Sequence, residues 1–158
     1  MANTQAMCTS FKVELLNGSH AFGAQATNSV RTVTTKDTFN AALYLATASL
    51  GAGTSIYSAT GELSATGNYT AKGNLITNAT EPSSSGTTAF WTPSASVTWT
   101  NLTSSGSFDA ALIINNKSTD VTELAVSVHT FTAQSITAAD FSLTMPVNDA
   151  TTGLIRIA

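Results

Sequence analysis

The side chains that could do chemistry here are few: His20 and His129, Cys8, nine scattered carboxylates, and a set of tyrosines and tryptophans. A metal centre needs several His, Cys, Asp or Glu ligands at short spacing. The two histidines lie far apart, and no such cluster accompanies either. His129 falls on the more polar side of its segment, near Phe131, and is expected to face solvent or an interface. Cys8 would be a nucleophile only with a base beside it. The nearest histidine, His20, stands across a predicted helix, so an inert free thiol is expected. Paired carboxylates can cleave glycosidic bonds. Here Glu14, Asp37, Glu62, Glu81, Asp109, Asp120, Glu123, Asp140 and Asp149 are isolated, and most adjoin turns, where capping accounts for them. Asp109, beside Phe108 at a strand start, is expected in a salt bridge or at a rim. No nucleophile elbow, phosphate loop or dinucleotide fingerprint occurs. Gly51-Ala52-Gly53 lacks a following helix and reads as a loop. These residues predict no enzyme, no metal and no cofactor. The rings of Tyr44, Tyr57, Tyr69, Phe90, Trp91 and Trp99 could stack on sugar faces, but core packing and interface anchoring are the ordinary uses of aromatics. Trp91 is the one expected to be partly exposed.

Strands must place these side chains. The chain is organised around Phe108–Phe131, FDAALIINNKSTDVTELAVSVHTF. Its second apolar run alternates, with Leu124, Val126 and Val128 on one side and Ala125, Ser127 and His129 on the other, as in a strand with one buried face. The first run, Ala110–Ile114, is apolar on both faces and is expected to be covered on both. A turn-prone segment, Asn115–Asp120, joins them into a hairpin. The remaining pattern adds strands at Thr38–Leu45 (Phe39, Ala41, Leu43 and Leu45 inward), Tyr69–Ile76, Thr87–Trp91 and Ser96–Thr100, then one along Phe141, Leu143, Met145 and Val147 and a last one at Leu154–Ala158. Weaker strand signals lie at Val30–Thr34 and Ile56–Leu63, and Glu81–Gly86 reads as a loop. Residues 1–8 are expected to be loose. A helix is predicted over 10–17, capped by Thr9 or Ser10 and ended by Gly18. The whole predicts one all-β domain spanning 1–158, a β-sandwich of jelly-roll or immunoglobulin-like type with one short N-terminal helix.

Composition narrows the partners. Charged residues make up 9% of the chain against 42% hydrophobic, far below the usual charged quarter or so. Thr, Ser and Asn fill the surface instead, which leaves little electrostatic defence against association. Six Lys and Arg stand singly in a chain of net charge −3, so nucleic acid is not an expected partner. Met1–Cys8 lacks a basic start and an apolar core, so no signal peptide is expected. No apolar run approaches the ~20 residues of a membrane span. One cysteine suits synthesis in a reducing cytosol. Asn-x-Ser/Thr triplets at Asn17, Asn68, Asn78, Asn101 and Asn116 follow from the composition and are not expected to be glycosylated.

Several segments carry a resemblance: MCTSFKVELLNGSHAF, DTFNAALYLATASLGAGTSIYSATGEL, GNYTAKGNLI, VTWTN followed by FDAALIIN, and FSLTMPVNDATTGLIRIA. From about residue 7 to 158 the chain resembles small structural proteins of tailed bacteriophages. It departs from their pattern at GNYTAKGN, where a Gly-Tyr pair ahead of Thr would be expected. The resemblance implies a virion component made in the bacterial cytoplasm: a capsid decoration or cement protein on the capsid surface. Such a protein bridges major-capsid subunits and copies of itself, and the family-level expectation is a homotrimer at a threefold site. The alternative it leaves open is a tail-fibre or adsorption protein that binds a host surface carbohydrate. The expected contact residues are Phe11 and Leu15 of the helix, Trp91, and Ile155, Arg156 and Ile157 of the last strand.

Overall fold

A computed structural model describes residues 2–24, 35–116 and 123–158. Along the chain the elements are β1 (Ala6–Met7), α1 (Thr9–Leu16), β2 (Phe39–Leu45), β3 (Asn74–Ile76), β4 (Ser83–Ser85), β5 (Thr88–Trp91), β6 (Val97–Leu102), β7 (Phe108–Asn115), β8 (Leu124–Gln134), β9 (Ala139–Leu143) and β10 (Ile155–Ile157). The fold is all-β and sandwich-like, with one short helix among the described residues.

The apolar hairpin makes the centre. A five-stranded antiparallel sheet runs β1-β8-β7-β2-β3, so β7 has a neighbour on each edge. Leu112 is paired with Ala42 on one side and Val128 on the other. Ala110 to Ile114 have no exposed surface, which confirms that both faces of β7 are covered. Fully burying each of Leu112, Ile113 and Ile114 contributes roughly 1.5–3 kcal/mol. Ala41, Ala42, Ala110, Ala111 and Ala125 leave room between the larger side chains.

Two aromatic clusters hold the smaller sheets to this one. A three-stranded sheet, β10-β5-β4, is joined through Trp91, whose ring lies 4.6 Å from Phe22 and 5.7 Å from Phe39. The β6–β9 ribbon is joined through Phe141, whose ring meets Phe108 edge-on at 5.0 Å and Phe131 at 5.5 Å. Such ring pairs add about 0.5–1.5 kcal/mol each beyond area burial.

The structure differs from the sequence reading at several places. Residues 1–8 are not loose over their described part: Ala6 and Met7 pair with Val128 and Ser127 of β8, and the Asn3 side chain donates to the Leu45 carbonyl at 3.0 Å. The helix starts at Thr9, after Cys8, whose thiol makes no capping hydrogen bond; the Cys8 N–H instead donates to the Val126 carbonyl of β8 at 3.0 Å, which ties the helix start to the sheet. Gly18 ends it at φ +69, as predicted. Glu81–Gly86 contains a strand, β4, whose serines are all exposed, so no apolar alternation marks it. Ile56–Leu63 holds only two isolated bridges, Ile56 to Leu124 and Glu62 to Tyr44. The Tyr69–Ile76 strand shrinks to Asn74–Ile76. The run through Met145 and Val147 stops at Leu143, ahead of Pro146, leaving Val147 70% exposed. In β2 the second face, with Ala42 and Tyr44, is as buried as the first. The predicted edge strand at Val30–Thr34 and the turn residues 117–120 lie outside the described residues.

Candidate functional site

Of the six expected contact residues, three lie in the core. Phe11 is fully buried because its side chain packs edge-on against His20 and Phe22. Trp91 is 2% exposed, which corrects the expectation of a partly exposed ring; it is clamped by Phe22 and Phe39, and its indole N–H donates to Asn78 Oδ1 at 3.1 Å. Ile155 is buried through its pairing with Trp91. Leu15 is half-buried, and Arg156 and Ile157 are exposed.

The fold nevertheless brings four of the six together. Leu15, Trp91, Ile155 and Ile157 line one groove of about 830 Å³ between α1, the following turn and the three-stranded sheet; Phe22 and Pro82 complete its apolar walls. Alternation along β10 divides its side chains. Ile155 and Ile157 line this groove, whereas Leu154 and Arg156 line a second one of about 790 Å³, shared with Met7, His129 and Phe131. The short strand is thus a wall between two concavities.

The polar side chains around the first groove are partnered locally. Glu81 pairs with Lys36 at 2.5 Å. His20, its side chain closed to solvent, shares a 2.8 Å contact with Glu14. The other ring nitrogen of His20 lies 2.9 Å from Asn115 Nδ2, which also donates to Asp37 at 2.7 Å. What the groove offers is therefore apolar surface. Cys8, nearby in sequence, is buried, and burial followed by the Glu14 charge pushes its thiol up to about 11. It stays protonated at neutral pH and is a poor nucleophile.

In the second groove His129 is half-buried rather than solvent-facing. Burial lowers it to about 4, and Ser127 Oγ lies 2.8 Å from its Nε2. Asp109 takes a 2.6 Å hydrogen bond from Asn3 Nδ2 and has no ion pair among the described residues. Ahead of β10, Asp149 is held down to about 2, first by the Thr151 hydroxyl and then by the Thr152 and Thr151 N–H groups. It caps the turn that delivers the strand.

Sequence reading missed one polar cluster. Glu62 is 7% exposed and accepts from the Tyr57 hydroxyl at 2.5 Å, the Tyr69 hydroxyl at 2.7 Å and the Lys72 N–H at 2.7 Å. Lys72 in turn pairs with Glu123 and lies over the Tyr57 ring. Tyr44 donates to the Ser58 carbonyl at 2.5 Å. Burial, then Glu62, drives the Tyr69 and Tyr44 phenols above their ordinary range. Among the described residues no nucleophile joins this cluster; chemically it locks the 57–72 loop onto the sheet. Its members are spaced through irregular chain, and only the concentration of all three tyrosines around one acid hinted at it. Among the described residues no three His, Cys, Asp or Glu come together as a metal site, and no helix is long and apolar enough to cross a membrane. Comparison of the chain with protein-family models, curated proteins and solved structures returns no match.

Proposed function

We propose that this chain is a virion structural protein of a tailed bacteriophage, a capsid decoration or cement protein that bridges and stabilises major-capsid subunits. In this reading it is made in the host cytoplasm, acts on the capsid surface alongside copies of itself, and transforms no molecule. One observation carries the reading: Leu15, Ile155 and Ile157 converge on one apolar groove, at whose rim Glu81 is paired with Lys36 and His20 is bound to Glu14. Such a groove recognises apolar surface and gains about 25 cal/mol per Å² of it buried, before the cost of association. The weakly charged, Thr- and Ser-rich exterior supports the same reading, since it sets up little repulsion between closely packed subunits.

The adsorption reading needs rings open to a sugar. Tyr44, Tyr69, Trp91 and Trp99 are buried, and Tyr57 and Phe90 are half-buried, so the exposed cluster of Trp91 with tyrosines that would favour it does not form.

The test adds purified protein back to shells that lack it and heats them. Bound protein is expected to raise the rupture temperature. Shells that rupture at the same temperature with and without it would overturn the proposal, as would density for the chain confined to the tail in cryo-EM of the particle.

A further inference from the structure

We infer that the outer edge of β10 docks an extended segment of a different polypeptide, one that carries a carboxylate between two apolar residues. The inference deepens the capsid reading proposed above, on which the identity of the partner rests. β10 is an edge strand: one side pairs with β5 (Ile155 with Trp91, Arg156 with Phe90, Ile157 with Ala89), and the other has no main-chain partner among the described residues. An unpaired row of N–H and C=O groups is a template for an added strand, and flanking pockets select its side chains.

Those selections can be read from the two faces of β10. A strand laid beside it sets alternate side chains next to alternate side chains of β10. Two of its residues would lie beside Ile155 and Ile157, over the apolar groove. The residue between them would lie on the other face, beside Arg156.

Arg156 decides the chemistry of that middle residue. Its guanidinium donates to the Thr151 carbonyl at 2.5 Å and has no carboxylate partner among the described residues. Lys36 and Lys72 differ, being matched by Glu81 and Glu123. The nearest carboxylate in sequence, Asp149, is engaged by Thr151 and Thr152. An incoming Asp or Glu supplies the missing charge.

The same residue excludes a second copy of β10. Full overlap of two such strands, antiparallel about Arg156 or parallel in register, sets Arg156 against its own copy, and like charges directly opposite are destabilising. Sliding the register to separate them leaves fewer than three residues paired on so short a strand.

The test titrates the full-length, isotope-labelled chain with acetylated ten-residue peptides built on Thr-Val-Asp-Val-Thr, and with the same peptides carrying Lys for Asp. Amide shifts at residues 154–158 are expected, with the Asp peptide binding at least about threefold more tightly than the Lys peptide. Arg156→Glu is expected to reverse that order, which a merely structural role for Arg156 would not do. Equal binding of both peptides, no binding at millimolar peptide, shifts away from β10, an unreversed order in the variant, or dimerisation of the free chain through β10 would each overturn the inference. Shell heating is read separately. Peptide binding without shell protection sinks the capsid reading alone; shell protection without peptide binding sinks this edge alone.

Discussion

The Tyr69 hydroxyl donates a 2.7 Å hydrogen bond to Glu62 in a region closed to water. Together with Tyr57 and the Lys72 N–H it replaces the hydration that the carboxylate loses on burial. Tyr69→Phe is expected to lower the unfolding free energy by about 1–3 kcal/mol, measured by urea titration. Glu62→Ala is expected to cost more, because it orphans three donors at once. A Glu62→Ala protein as stable as the parent would show that the cluster is incidental to the fold.

The same cluster sets an alkaline limit. Burial first, reinforced by Glu62, raises the phenols of Tyr44, Tyr57 and Tyr69 from 10.0. Above that pH the unfolded chain releases phenolic protons that the folded chain keeps. Stability is therefore complete below pH ~10 and falls as pH rises beyond it. Urea midpoints across this range, followed with tyrosinate absorbance, test the prediction. Tyrosinate appearing near pH 10 while the chain remains folded would contradict it.

On the acid side His129 works in the opposite direction. Burial depresses it from 6.5 to about 4, so between these values the unfolded chain binds a proton that the folded chain refuses. Its contribution is present above pH 6.5 and is lost as pH falls toward about 4. His129→Gln is expected to flatten the stability profile across that window, and NMR of the ring carbons would locate the titration directly.

Gly73 and Gly86 separate two costs of a side chain. Both have positive φ, +66 and +57. A Cβ at Gly73 would run into the Ala41 carbonyl oxygen, whereas one at Gly86 meets nothing within 4 Å. Gly86→Ala is expected to cost about 1–2 kcal/mol from backbone strain alone. Gly73→Ala is expected to cost at least about 3 kcal/mol or to prevent folding, since β3 would have to part from β2. Equal midpoints for the two variants would contradict this.

Ile157 and Trp91 line the same groove but belong to different classes of residue. Ile157 is 52% exposed, and Ile157→Asp is expected to change stability by less than about 0.5 kcal/mol while abolishing retention on shells. Trp91→Ala is expected to cost about 3–5 kcal/mol, because it empties the contact with Phe22 and Phe39. Denaturant midpoints and co-sedimentation with shells distinguish the two.

Sequence alone determined the all-β class, the helix near residue 10 and the doubly covered β7. Each follows from side-chain period and apolarity, which report how many sides of a segment must be hidden. Only the tertiary structure decided what does the hiding. Trp91 is enclosed because Phe22, far away in the chain, reaches it; β1 and β4 exist through main-chain pairing that leaves no mark on side-chain pattern. The ring of donors around Glu62 and the division of β10 between two grooves arise the same way, from loops and sheets meeting in space. Local order is written in neighbouring residues, whereas burial and charge pairing depend on which distant segments the packed core brings together.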